Sequence, residues 1–182
     1  SQLMMPLMNR YSQEIQAQRD FFIANLPFSF DYRKKQLISL KKAIQHYQQD
    51  LNEALALDLG KPEFESYMTE IGLVLHEIDL VVKKLKHWIK PKKVKSPLFI
   101  QPANSYIHPT PLGVCLIISP FNYPVSLTLS PLIAALSAGN CCTIKTSELT
   151  PNVSLVLKKL IDSTFTSNYV HCINGGVEEV TA

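Results

Sequence analysis

The 182 residues are 46% hydrophobic, which excludes a disordered chain and is enough to bury a core of ordinary single-domain size. A net charge of +3 and a pI near 8.6 fall short of the concentrated basic face of a nucleic-acid binder, so nucleic acid is not an expected partner. No apolar window approaches the length of a membrane-crossing helix, and the opening SQLMMPLMNRYSQ has no basic segment leading into a long apolar one. The expectation is therefore a cytoplasmic protein with no membrane span.

Residues 10–24 place Ile15, Phe21, Phe22 and Ile23 in a polar background, predicting a first helix that ends before Pro27. Residues 31–59 repeat apolar side chains at Leu37, Leu40, Ala43, Ile44 and Tyr47, and again at Leu51, Leu55 and Leu59. That spacing predicts two helices, and Gly60 is a natural stop because glycine accepts the left-handed conformation that closes many helices. Residues 64–89 predict one more helix, with Ile71, Val74, Leu75, Ile78, Val82, Leu85 and Trp88 on a broad stripe. The lysines that crowd its end, from Lys83 to Lys95, read as a solvated helix terminus and basic linker rather than an anion site, because cations are favoured at a helix carboxyl end.

Beyond Pro97 the character changes. Residues 98–100 and 105–108 look like short strands, and prolines at 97, 102, 109 and 111 assign them to an edge or arm. The runs 114–118, 141–144 and 169–173 are too short for helices and too continuous for a sheet face open to water, which predicts parallel strands buried on both sides. One crossover helix lies between the first two runs. The second, over 151–164, is set up by Thr150 as cap and Pro151 at the first helical position. The expected organisation is a helical segment over 1–95, an edge-strand arm over 96–109, and a β-α-β-α-β unit over 110–182.

Pro120 and Pro124 bracket Phe121, Asn122 and Tyr123, so the first parallel strand stops at Ser119 and the following helix waits for the second proline. In open parallel sheets ligands bind at the carboxyl edge, so Asn122, Lys145 and Glu148 should face one crevice. An asparagine amide on a rigid turn can donate to a carbonyl oxygen as it gains negative charge, and a lysine and carboxylate three apart can grip two neighbouring hydroxyls. Each also has a plain structural role, as turn former, strand-end lysine and capping residue respectively, and spacing alone favours these plain roles. The six glycines form neither GxGxxG nor a P-loop, the five histidines have no metal spacing, and no GxSxG is present. The four cysteines make no CxxC pair and sit in or beside apolar runs, which predicts reduced, buried core thiols.

The run PLGVCLIISPFNYPVSLTLSPLIAALSAGNCCTIKTSELTP closely resembles the nucleotide-binding segment of NAD(P)-dependent aldehyde dehydrogenases, most of all the class 3 and fatty or coniferyl aldehyde group, and INGGVEEVTA resembles the stretch that follows there. The resemblance implies an α/β fold in which a helical amino-terminal segment precedes part of an open parallel Rossmann-type sheet. It implies that Asn122 is the oxyanion-hole donor, and that Ser119, Pro120 and Phe121 supply the backbone beside the nicotinamide ribose. Phe121 stands where many members have Trp. Lys145 and Glu148 would hold the adenosine ribose hydroxyls, and Gly175 and Gly176 would lie near the adenine pocket of NAD or NADP. The family's dinucleotide fold lacks the usual glycine fingerprint, in agreement with its absence here.

In that family the nucleophilic Cys and the general-base Glu come later than the matched segment, and none of the four cysteines here matches the nucleophile's motif. The resemblance therefore implies the cofactor-binding portion of an enzyme that oxidises an aldehyde substrate to a carboxylic acid, with this chain inactive alone. The alternative is a non-catalytic nucleotide-binding or assembly module built on the same fold. Three parallel strands taken from a larger sheet leave an edge strand and an apolar face open, which predicts a homo-oligomer or a complementing chain.

Overall fold

The computed structural model describes residues 4–88, 106–109 and 113–174. The expected strand at 98–100, most of the basic linker, and Gly175 and Gly176 lie outside the described residues, as does the side chain of Trp88.

Four strands form one sheet in the order β1-β2-β3-β4. Parallel pairing joins β2 (Val114–Ile118) to β3 (Cys141–Lys145) and β3 to β4 (Val170–Ile173), while β1 (Tyr106–Pro109) pairs antiparallel with β2 at the edge that its neighbouring prolines predict. Residues 141–144 are all buried, as a continuous apolar run in a doubly covered strand requires. The crossovers are α6 (Ser126–Ser137) and α7 (Pro151–Thr164), so the expected β-α-β-α-β order and α/β class hold.

The helical segment begins with α1 (Met4–Asn25), which starts earlier than the apolar pattern alone predicts. Its buried Gln18 ties it to the sheet, donating from Nε2 to the Cys142 carbonyl at 2.7 Å and accepting from Thr143 Oγ1 at 2.6 Å. At the strand entrance Gly113 has φ 77° and the ring of Phe22 occupies the space a Cβ would need, so only glycine lets α1 sit this close to β2. Phe28 stacks on Tyr32 at 5.0 Å, and both meet the Tyr169 ring edge-on, which joins the start of α2 (Phe30–His46) to the turn before β4. The predicted break between the next two helices is real. α3 (Gln48–Leu59) ends on Gly60 at φ 65°, as expected.

Two expectations are corrected. The single helix over 64–89 is three pieces: α4 (Glu63–Ser66), a π-helical turn Tyr67–Ile71, and α5 (Gly72–Trp88). The Gly72 N–H reaches back five residues to the Tyr67 carbonyl, and the Tyr67 ring packs so close that a Cβ at Gly72 would lie 2.7 Å from Cε1. The extra residue in this turn lets Glu70 and Ile71 both point inward.

Thr150 stands at the N-cap position before Pro151, as expected, but its side chain makes no cap bond. Its buried Oγ1 has no hydrogen-bond partner among the described residues. The cap comes from Asp58 near the end of α3, whose carboxylate accepts from the Asn152 N–H at 3.3 Å and the Val153 N–H at 2.8 Å. A full negative charge at the helix amino terminus satisfies two orphan donors and complements the dipole, which a neutral hydroxyl does less well.

Candidate functional site

The register pairs Ile118 with Lys145 and Lys145 with Ile173, so the three parallel strands end flush and the connections after β2 and β3 leave from one edge. The Ser119 N–H continues this pairing, donating to the Lys145 carbonyl at 2.9 Å. Ser119 is buried, with its Oγ against Thr128 Oγ1, so its hydroxyl is engaged within the protein. Phe121 is 52% exposed, Asn122 is half-buried, and Pro124 and Val125 turn the chain into α6.

Within this turn Asn122 Oδ1 accepts from the Tyr123 N–H at 3.0 Å. With the amide oxygen so engaged, the Nδ2 group is the end left to donate outward. The Asn122 carbonyl accepts from Lys61 Nζ at 2.9 Å, and that ammonium lies 4.0 Å over the Tyr123 ring and 3.0 Å from Glu70 Oε2. The other oxygen of Glu70 accepts from the Val125 N–H at 2.8 Å and the Ser126 N–H at 3.3 Å. The side chain of Lys61 is 9% exposed and that of Glu70 0%, so this is a desolvated ion pair in which every charge has hydrogen-bond partners. Removing one member alone would strand a buried charge, at a cost of about 3–5 kcal/mol.

Lys145, the last residue of β3, and Glu148, on the loop that follows, are exposed at the same edge, and the loop is held by internal bonds. Thr146 Oγ1 donates to Asn174 Oδ1 at 3.1 Å, and Ser154 Oγ donates to the Ser147 carbonyl at 2.8 Å. The loop backbone is thus held while both charged ends are exposed.

All four cysteines are free and buried, in agreement with the core reading. Burial pushes the thiols of Cys141 and Cys172 up to about 12. Cys142 and Cys115 face each other across β2 and β3, where a hydrogen bond between the two thiols raises Cys142 and lowers Cys115. Every thiol lies within a strand, none on the turn that carries Asn122.

Residues 13–182 match the pattern of the aldehyde dehydrogenase family. The chain belongs to that family. Over 172 residues it is 48% identical to the 4,4'-diaponeurosporen-aldehyde dehydrogenase of Staphylococcus aureus, covering 94% of this chain and 38% of that protein. It is 40% identical to aldehyde dehydrogenase family 3 member A2 of Pongo abelii, covering 92% of this chain and 35% of that one. Aldehyde dehydrogenase structures share its architecture as well. A substrate-bound state of the Staphylococcus aureus AldH superposes with a TM-score of 0.79 at 48% identity, over 93% of this chain and 37% of the other. The glyceraldehyde-3-phosphate dehydrogenase GapN of Methanocaldococcus jannaschii, complexed with NADP, shares the fold at a TM-score of 0.70 and 19% identity, over 93% and 37% of the two chains. The chain thus spans well under half the length of these relatives.

Lys61, Glu70 and Asp58 escaped the sequence reading. Glu70 did leave a signal: it stands four and eight residues before Val74 and Ile78, a charged side chain at the apolar stripe's own positions. Lys61 and Asp58 left none: the Asn122 carbonyl that Lys61 holds and the Val153 N–H that Asp58 caps are 61 and 95 residues away.

Proposed function

We propose that this chain supplies the cofactor-binding side and the oxyanion donor of an NAD(P)-dependent aldehyde dehydrogenase that oxidises an aldehyde to a carboxylic acid. The observation that carries the reading is the Asn122 turn: its amide oxygen is satisfied internally and its carbonyl is held by Lys61, which presents Nδ2 as a fixed donor at the carboxyl edge of the sheet. A donor held in place beforehand steadies an oxygen that gains charge as a nucleophile adds to the aldehyde.

The residues at this edge fit a dinucleotide. An exposed ammonium and an exposed carboxylate, Lys145 and Glu148, suit the paired hydroxyls of the adenosine ribose, and Ser119, Pro120 and Phe121, of which Phe121 is the exposed member, are assigned to the nicotinamide ribose on the family resemblance. Gly175 and Gly176 are assigned to the adenine end on the family resemblance. When bound, the nicotinamide accepts the hydride that leaves the aldehyde carbon. The carboxylate of Glu148 opposes a 2′-phosphate by like charge without excluding it, so NAD or NADP is the cofactor.

The chain by itself does not turn over aldehyde, because its four thiols are all in the core and no other group at the edge among the described residues offers a nucleophile of that kind. The test compares the 182-residue chain with a chimera in which it replaces the matching stretch of the Staphylococcus aureus relative. NAD(P)-dependent aldehyde oxidation by the chimera and none by the chain alone is the expected result. Turnover by the chain alone, or a folded chimera that binds neither NAD nor NADP, would refute the reading.

A further inference from the structure

We propose that Lys61, held by Glu70, is a positioning residue for the oxyanion donor: it sets the direction of the Asn122 side-chain amide through a single peptide group. The inference rests on the reading of Asn122 given above. The peptide between Asn122 and Tyr123 is planar, with its C=O and N–H pointing in opposite directions. Its carbonyl end accepts from Lys61 Nζ at 2.9 Å, and its N–H end donates to Asn122 Oδ1 at 3.0 Å. Rotation of this plane would break both bonds at once. With Lys61 in place the plane is fixed, the fixed N–H anchors Oδ1, and the anchored Oδ1 leaves Nδ2 one direction.

Lys61 is itself over-determined. Its ammonium bonds to Glu70 Oε2 at 3.0 Å and lies 4.0 Å over the ring of Tyr123, the residue on the far side of the same peptide. Glu70 in turn grips the backbone beyond the turn through Val125 and Ser126. One buried carboxylate thus sets the turn from two sides: through Lys61 at Asn122, and directly at the start of α6. The π-helical turn Tyr67–Ile71 is what brings Glu70 inward without displacing Ile71 from the core.

The position of Lys61 is tested by a mutant cycle in the chimera described above, using Lys61→Met, Lys61→Arg and Asn122→Ala. Lys61→Met removes the charge and both hydrogen bonds at nearly constant length. It is expected to lower kcat roughly tenfold or more with the KM for cofactor unchanged, as misplacement of a catalytic group by a fraction of an ångström does. Lys61→Arg, which keeps a donor and a charge, is expected to recover most of the loss. In an Asn122→Ala background Lys61→Met should cost nothing further, because its effect passes through Asn122. A further loss there, or a kcat within twofold of the parent for Lys61→Met alone, overturns the proposal. If Asn122→Ala is itself silent, the reading of Asn122 falls; if Asn122→Ala is damaging and Lys61→Met silent, only the role of Lys61 falls.

A second measurement uses the 182-residue chain and needs no turnover. With 15N labelling, Lys61→Met is expected to move the side-chain amide signals of Asn122 and leave those of Gln18, bonded at the Cys142 carbonyl, where they were. Unmoved Asn122 signals, or equal movement of both pairs, would overturn the assignment.

Discussion

Glu70 Oε1 accepts the Val125 N–H at 2.8 Å, joining a π-helical turn of the helical segment to the first residues of a crossover helix 55 positions later. Asp58 does the same for the second crossover helix, accepting from Val153 at 2.8 Å. Both helices that flank the parallel strands therefore start on a carboxylate from outside the sheet unit, and the helical segment acts as a jig for the carboxyl edge that carries Asn122. The consequence is that substitutions in residues 58–70 reach the site without touching it.

Asp58 and Thr150 separate the observed cap from the expected one. Asp58→Ala should destabilise the chain by about 1 kcal/mol, the usual cost of losing a helix cap. Thr150→Val, which replaces a buried hydroxyl that has no partner among the described residues, should be neutral or slightly stabilising. Denaturant unfolding of both variants decides between them; a loss at Thr150 with none at Asp58 would reinstate the local cap.

Glu77, on α5, carries a pH signature. Burial holds its carboxyl above the ordinary range, against the opposing pull of the Ser130 hydroxyl and of His76. A group whose folded pKa is raised binds more protons folded than unfolded, so its contribution to stability is full below the ordinary glutamate pKa and is lost as pH rises through the raised value. Glu77→Gln should thus unfold at a higher temperature than the parent at pH 7, and the difference should close as the pH falls below the ordinary carboxylate range. A difference of the same size at every pH would mean that charge is not the cause.

The open side of the sheet predicts association. Among the described residues β4 pairs only with β3, and Phe64 and Leu149 are 78% and 69% exposed. An unpaired strand edge and exposed apolar side chains together favour a second chain, either another copy or one that completes the enzyme. Light scattering on the eluting chain should give a mass of at least two copies, or a complex with the complementing chain when both are expressed. A monomer at high concentration that binds no hydrophobic dye would contradict this.

What the sequence showed and what it hid divide along one physical line. Continuous apolar runs, the 3.6-residue helical period, prolines on either side of Asn122, and Gly60 all act locally, and the parallel strands, crossovers, turn and helix stop they predict are present. The features that were missed act across the fold. A π-helical turn depends on tertiary packing that rewards an inward Glu70, and a remote carboxylate outcompetes Thr150 for the α7 donors. Asn122 was visible as a turn residue, whereas the ion pair that aims it joins residues 61, 70 and 122, which no local pattern connects.

The oxyanion role of Asn122 is tested most directly by the kcat of Asn122→Ala in the chimera, measured at saturating aldehyde and cofactor. Removing a donor of this kind should lower kcat by roughly 10²–10³ while the KM for cofactor stays near that of the parent. A kcat within twofold of the parent would show that Asn122 only shapes the turn, and that the charge on the aldehyde oxygen is met elsewhere.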